Sequence, residues 1–232
     1  MNKPHLVLVP GLLCTERLWR DQISALGMDF DIQVARHHLD DSLGAIAERI
    51  LDAAPERFSL AGLSFGGYVV FELWRRAPER IERIALLDTR ATQDPPETVK
   101  EREDQLRLIE KGRFTGIHER LAPSFVHPDR RMDSKLIAEI TGMAVETGKD
   151  GFIRQTRAIM GRPDSRPTCE TIDVPALVLC GRQDERTPLR MHEEMASLIP
   201  DSWLEVVENC GHLAPMERPA EVNVAMREWL AA

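Results

Sequence analysis

The sequence predicts an α/β fold: a mostly parallel sheet with helices on both faces, interrupted by one helical insert before its last two strands. Three observations carry this. Short apolar runs alternate with longer amphipathic segments along nearly the whole chain, the pattern of repeated strand–helix units. The runs at 84–87 and 175–180 are continuously apolar, as strands buried on both faces are. Between Arg90 and about Thr168 the strand pattern stops and only helical periodicity remains.

In chain order, His5–Val9 is the first strand. Residues 17–26 place Leu18, Ile23 and Leu26 at mixed three- and five-residue spacing and read as a helix. Residues 30–35 make a short strand. Ser42 suits the cap of a helix whose Leu43, Ile46, Ile50 and Leu51 share one face. Phe58–Leu63 is a strand, and a helix over 66–77 follows until Pro78 ends it. Further strands fall at 84–87, 175–180 and 203–207. Helices over 188–198 and 219–230 open on prolines, which suit a first helical turn. The insert holds a charged helix over 98–111, with Leu106, Leu108 and Ile109 inside it, and another over 136–145 carrying Ile137, Ile140 and Met143. So placed, it reads as a lid over the strand ends, with hinges at Pro95-Pro96 and residues 162–167. The expected division is a core of residues 1–90 and 169–232 and a helical lid of residues 91–168.

Composition narrows the function. The 232 residues can bury one full core, and a hydrophobic fraction of 43% is that of a globular chain. A formal net charge of −8 without a basic block argues against sequence-independent nucleic-acid binding. Residues 6–14 are the longest apolar stretch, broken by Pro10-Gly11 and far short of the roughly 20 residues of a membrane span. Lys3 ahead of that stretch and Cys14 after it have the outline of a lipoprotein signal, but Leu13 stands where a small residue is required, so the segment reads as structure. Cys14, Cys169, Cys180 and Cys210 show no CxxC spacing. They are expected to be free thiols in a cytoplasmic, reducing compartment, without zinc.

The chemistry centres on Gly62-Leu63-Ser64-Phe65-Gly66-Gly67, which follows a strand and opens a helix. So tight a turn holds Ser64 in an unfavourable backbone conformation and leaves no room for side chains at 62 and 66. It presents the hydroxyl at the C-terminal edge of the sheet, with the Phe65 N–H available to an oxyanion. A serine hydroxyl needs a base. His212, in Asn209-Cys210-Gly211-His212, follows the last strand at the same edge. His37 and His38 also follow a strand but precede Ser64, against the Ser…Asp…His order. His5, His118, His127 and His192 read as surface residues. Asp184, after the strand at 175–180, is the preferred acid; Asp88, after the strand at 84–87, is the rival, otherwise read as capping the loop into the lid. Gly11 lets the loop after the first strand turn toward the site, so the Leu12 N–H is the second oxyanion donor.

These residues together resemble the α/β-hydrolase superfamily. Val9-Pro10-Gly11-Leu12-Leu13, the Gly62–Gly67 turn, Gly181-Arg182-Gln183-Asp184 and the run from Gly211 to Pro219 carry the likeness. More narrowly, the chain is similar to the small, lidded bacterial carboxylesterase, enol-lactonase and cofactor-free haloperoxidase group. The resemblance implies a three-layer α/β/α hydrolase fold with six parallel strands, lacking the two antiparallel strands that usually start the sheet. There are departures. Many relatives have His-Gly where Pro10-Gly11 stands. Dehalogenases and epoxide hydrolases place Asp at the position of Ser64, and the only tyrosine, Tyr68, is outside the insert. Leu63 and Leu213 replace residues usual in carbon–carbon bond hydrolases.

The expected function is hydrolysis of a small-molecule carboxylic ester or lactone through an acyl-enzyme, with no metal or organic cofactor. The alternatives are perhydrolysis of the haloperoxidase type and a ligand-binding receptor on the same fold. Leu108, Phe114, Ile117, Phe125 or Met160 are expected to face the pocket; Arg90, Arg154 and Arg157 could bind a substrate carboxylate, but each reads first as a lid salt-bridge or surface residue. Oligomeric state is not legible.

Overall fold

In the computed structural model, residues 3–114 and 120–232 are described. The chain forms β1 (His5–Val9), α1 (Arg20–Leu26), β2 (Asp31–Val34), α2 (Leu43–Ala53), β3 (Phe58–Leu63), α3 (Phe65–Arg76) and β4 (Ile81–Leu87). The insert contributes α4 (Pro96–Glu110) and α5 (Ser134–Met160), and the short α6 (Arg166–Cys169) leads back to the sheet. β5 (Ala176–Gly181), α7 (Leu189–Leu198), β6 (Ser202–Val207), α8 (Ala214–Glu217) and α9 (Pro219–Ala231) complete it. The six strands run parallel, as expected, and stand in the order β2-β1-β3-β4-β5-β6.

Strand alternation divides the interior into two cores. Val7, Val9, Leu60, Ile84, Leu86 and Val178 point to one face, where α2, α3 and α7 pack. Leu6, Leu8, Leu63, Leu87, Leu177 and Leu179 point to the other, against Trp19 and the Val222, Met226 and Trp229 face of α9. Both faces are covered, which is why the central strands read as unbroken apolar runs. The register pairs Val9 with Gly62, Leu63 with Leu87, and Leu87 with Leu179, so the loops after β1, β3, β4 and β5 leave one edge side by side. From β1 the chain goes outward to β2 and then returns to β3 on the other side. That reversal opens a crevice at the strand ends.

Some elements differ from expectation. The helix expected over 17–26 begins as a 3-10 turn, Glu16–Trp19, and becomes α-helical only at Arg20. The tighter turn buries both Leu18 and Trp19, which explains the mixed spacing. The helix expected over 136–145 is the first part of α5, which runs on to Met160 with a break at Gly148 (φ 70°). Arg162, expected in a hinge, is buried: it pairs with Asp94 at 2.8 Å and lies over the Tyr68 ring at 4.2 Å. The two connections of the insert are thus tied to each other. Ser42 caps α2 as expected, accepting from Ala45 N at 3.3 Å. Cys14, Cys169, Cys180 and Cys210 are free and buried. Among the described residues no helix is long and apolar enough to cross a membrane.

Candidate active site

Ser64 lies between the last residue of β3 and the first of α3, at φ 54° and ψ −113°, a conformation few non-glycine residues adopt. It is over-determined by its surroundings. Ser64 N donates to Leu87 O at 2.9 Å, and Thr89 Oγ1 donates to Ser64 O at 2.7 Å. A Cβ on Gly66 would stand 2.1 Å from Val9 O, and one on Gly62 would stand 2.5 Å from the Gly66 backbone. Both glycines are therefore required for α3 to start so close to β1 and β3.

The structure brings Ser64, His212 and Asp184 into one hydrogen-bonded row. His212 Nε2 is 2.8 Å from Ser64 Oγ, and His212 Nδ1 is 2.8 Å from Asp184 Oδ2. The Asp184 carboxylate is further held by Thr187 Oγ1 at 2.6 Å and by the N–H groups of Arg186 and Thr187 at 2.7 and 3.0 Å. Burial opposes its ionisation, but the His212 charge and the hydrogen bonds from His212 and Thr187 together hold its carboxyl below the usual range.

Asp88 takes another place. It is fully buried and accepts from Gly181 N at 2.9 Å and Ala214 N at 3.1 Å. It joins the end of β5 to the loop carrying His212, rather than capping the loop into the insert. Burial and the neighbouring Asp184 charge push its carboxyl well above the ordinary value.

Sequence reasoning missed several supports. Glu217 is buried and accepts from Gly211 N at 2.9 Å and His127 N at 2.7 Å, fixing the loop before His212. The Phe125 ring stacks on His212, centroids 5.8 Å apart. Gln155 reaches from α5 to accept from Leu13 N at 3.1 Å, and His37 Nε2 lies 2.9 Å from Gly11 O and 3.1 Å from Gln155 Nε2. Leu13 itself is at φ 59°. With the Leu13 N–H engaged, the Leu12 N–H beside it has no acceptor among the described residues. The Phe65 N–H opens α3, where no preceding helical turn supplies a carbonyl. His37 and His192 are both buried; burial lowers each to about 4. His192, expected at the surface, accepts from Thr89 N at 3.0 Å.

Asp88, Cys180 and His192 bring atoms of metal-ligand type within 4.8 Å of one another. Their chemistry fits a metal poorly. Asp88 and His192 already accept backbone N–H groups, and burial pushes the Cys180 thiol far up.

Ser64 and His212 open on a cavity of about 340 Å³. Leu12, Leu121, Phe125, Ile140, Phe152 and Ile159 form much of its apolar wall. Of the apolar residues expected there, Phe125 takes part. Leu108 is 39% exposed, Phe114 packs on Phe152, Met160 does not line the cavity, and Ile117 lies outside the described residues, as does His118. Arg90 lines the cavity; Arg154 instead donates to His38 O at 3.0 Å, and Arg157 is exposed. Arg102 and Arg186 line it in their stead.

A parallel sheet carrying a strained strand-to-helix turn, with a histidine and a carboxylate lined up behind it, defines a hydrolase scaffold. The chain belongs to the alpha/beta hydrolase family, whose sequence profile matches residues 6–225. It is 25% identical to a pimeloyl-[acyl-carrier protein] methyl ester esterase of Nitrosomonas europaea, over 95% of this chain and 93% of that one. Among solved structures, a thermophilic esterase from Thermogutta terrifontis superposes with a TM-score of 0.90 at 28% identity, covering 99% of this chain and 90% of that one. The enol-lactonase of Burkholderia xenovorans LB400 does so with a TM-score of 0.90 at 25% identity, covering 100% and 93%.

Proposed function

We propose that this protein is a serine hydrolase that cleaves a carboxylic ester or lactone of a small molecule through an acyl-enzyme. The observation that carries the reading is the row from Ser64 Oγ through His212 to Asp184, with both links at 2.8 Å and its open end in a cavity of about 340 Å³. The esterase and enol-lactonase relatives agree with it in chemistry.

In this reading His212 Nε2 takes the Ser64 proton as Oγ attacks the ester carbonyl. The carbonyl oxygen becomes an oxyanion and accepts from the Leu12 and Phe65 N–H groups. Asp184 holds the Nδ1–H tautomer and stabilises the imidazolium. The tetrahedral intermediate collapses, His212 returns its proton to the departing alkoxide, and Ser64 remains acylated. Water then attacks, giving its proton to His212, and the acid leaves as Ser64 recovers its proton. No step requires a metal or organic cofactor. The insert over residues 91–168 serves as the lid. A cavity of about 340 Å³ lies at the small end of ligand sites, so short or medium acyl groups are preferred to long ones.

Fluorophosphonate labelling tests the nucleophile: the wild type is labelled and Ser64→Ala is not. A burst of p-nitrophenol followed by steady turnover of a short p-nitrophenyl ester separates an enzyme from a receptor that acylates once. Labelling that persists in Ser64→Ala sinks the assignment.

A further inference from the structure

We propose that the substrate of the Ser64 site carries a free carboxylate besides its ester, held in the cavity by Arg90, Arg102 and Arg186. This rests on the serine-hydrolase reading and names the class of ester. The first observation is an excess of guanidinium around one acid. Asp94 is nearly inaccessible, its side chain 1% exposed, and it receives Arg90 and Arg162 on Oδ1 and Arg102 on Oδ2. One carboxylate therefore serves three arginines, two of which line the cavity. Arg162 is spent on Asp94 and on the carbonyls of Ile159 and Thr92. Arg102 is not: it uses Nε alone, leaving both Nη groups without a protein acceptor among the described residues. A guanidinium has five N–H donors arranged as a fork that suits a planar carboxylate.

The second observation is Arg186. It donates to Ser124 Oγ and lies 4.8 Å over the Phe125 ring, but pairs with no acid among the described residues. Partial burial and the charge of Arg102 both push its guanidinium down, as they do where positive charges are crowded together. Phe125 in turn stacks on His212, so the cation stands two ring contacts from the base. The acidic residues lining the same cavity are Glu101 and Glu185, and Glu185 is engaged by Arg131 at 2.6 Å. In a chain of net charge −8, this cluster is a local reversal of sign. An anion entering the cavity would neutralise it.

Beside the arginines, Leu12, Leu121 and Phe152 give the same cavity apolar lining. A substrate with its ester at Ser64 and a carboxylate at the arginines, joined by a hydrocarbon spacer, suits such a mixed lining. Half-esters of dicarboxylic acids and lactones bearing a carboxylate side chain are of this kind. A substrate neutral throughout would leave the guanidinium donors desolvated and unpaired, which costs affinity.

The matched probes are the monomethyl and dimethyl esters of glutaric, adipic and suberic acids, which differ only in the free carboxylate. For the best acid length, kcat/KM of the wild type for the monoester exceeds that for the diester about ten-fold or more. That ratio falls about ten-fold in Arg102→Gln and in Arg186→Gln, the range of one charge-assisted hydrogen bond, and it shrinks with added salt. Calorimetric titration of Ser64→Ala with the same esters gives a second readout that needs no turnover, and tighter binding of the monoester is expected. Equal binding of monoester and diester by Ser64→Ala overturns the proposal, as does a kcat/KM ratio unchanged in both arginine variants. Tighter monoester binding in a protein that hydrolyses neither ester supports the anion site and counts against the hydrolase reading.

Discussion

Replacing Asp184 by Asn changes one atom of the row behind Ser64 and preserves its shape. In the wild type Asp184 Oδ2 faces His212 Nδ1 at 2.8 Å, and the Thr187 hydroxyl donates to the same oxygen at 2.6 Å. Oδ1 accepts the Arg186 and Thr187 N–H groups. An Asn side chain keeps these backbone bonds only if its carbonyl takes the Oδ1 place, which turns its NH2 toward His212. The amide then donates to Nδ1, the imidazole proton moves to Nε2, and the nitrogen facing Ser64 Oγ has no lone pair to accept the serine proton. Turnover is expected to fall by about four orders of magnitude, roughly 5.4 kcal/mol of transition-state stabilisation. The loss falls on kcat, with KM within a few-fold, because the carboxylate acts on a charge formed during reaction. Stopped-flow burst amplitude and steady-state kinetics on a p-nitrophenyl ester measure it, with circular dichroism to establish folding. A folded Asp184→Asn variant within ten-fold of wild type would refute the reasoning, and only a loss of turnover in Asp88→Asn beside it would move the acid role to Asp88.

Three further expectations concern what surrounds the row. Asp88→Asn leaves one of the Gly181 and Ala214 N–H groups facing an amide NH2; urea unfolding should show a loss of about 1–3 kcal/mol, with turnover changed less than ten-fold. Gln155→Leu leaves the Leu13 N–H without its acceptor and frees the loop that carries the Leu12 N–H; kcat is expected to fall about ten-fold and the urea midpoint to drop. His37 and His192 are buried neutral, each lowered to about 4, so between their unfolded value of about 6.5 and 4 the unfolded chain binds the extra protons. Stability is therefore full above pH 6.5 and is lost as pH falls toward 4, by about 3 kcal/mol for each histidine. Urea titrations across that range check this, and a flat profile contradicts it.

The elements legible in the sequence are those fixed by local rules. The central strands are buried on both faces, so their composition is apolar throughout. The turn at Ser64 needs glycines at 62 and 66 because backbone atoms stand where Cβ atoms would be. His212 follows from chain order and from its place after β6. The surroundings are set by tertiary contacts and left little trace. His37 and His192 look like any polar loop or helix residue, yet each bonds to a backbone group of another segment. Gln155 sits in the middle of a helix, with nothing nearby to mark its reach to Leu13 across more than a hundred residues of chain. The insert is the least legible part of the chain. In α4 only Ile109 is buried, so periodicity alone could not tell that Arg102 would face the cavity while Leu108 would face water. Asp184 and Asp88 both end adjacent strands, so only chain order and the loop length after each strand separate them in the sequence. Thr187, three residues beyond Asp184 and bonded to the carboxylate that faces His212, is a local signal that could have strengthened it.

The ion pair between Asp94 and Arg162 joins residues on either side of the long excursion that contains α4 and α5. Closing a chain segment costs entropy that grows only with the logarithm of its length, about 0.6 kcal/mol for each doubling. Once both ends are fastened at one buried carboxylate, what lies between them can lengthen, shorten or be rewritten at little cost to the sheet. The length of the excursion is thus uncoupled from the sheet, while Asp94 and Arg162 hold its ends and residues within it such as Arg102, Phe125 and Gln155 stay tied to the site. Because Asp94 also orients Arg90 and Arg102, the clasp that lets the excursion change is the same one that keeps two cavity cations in place. Sequences that exchange the whole insert between relatives would carry over one wall of the cavity, and would keep the cavity's charge only where both partners of the clasp are retained.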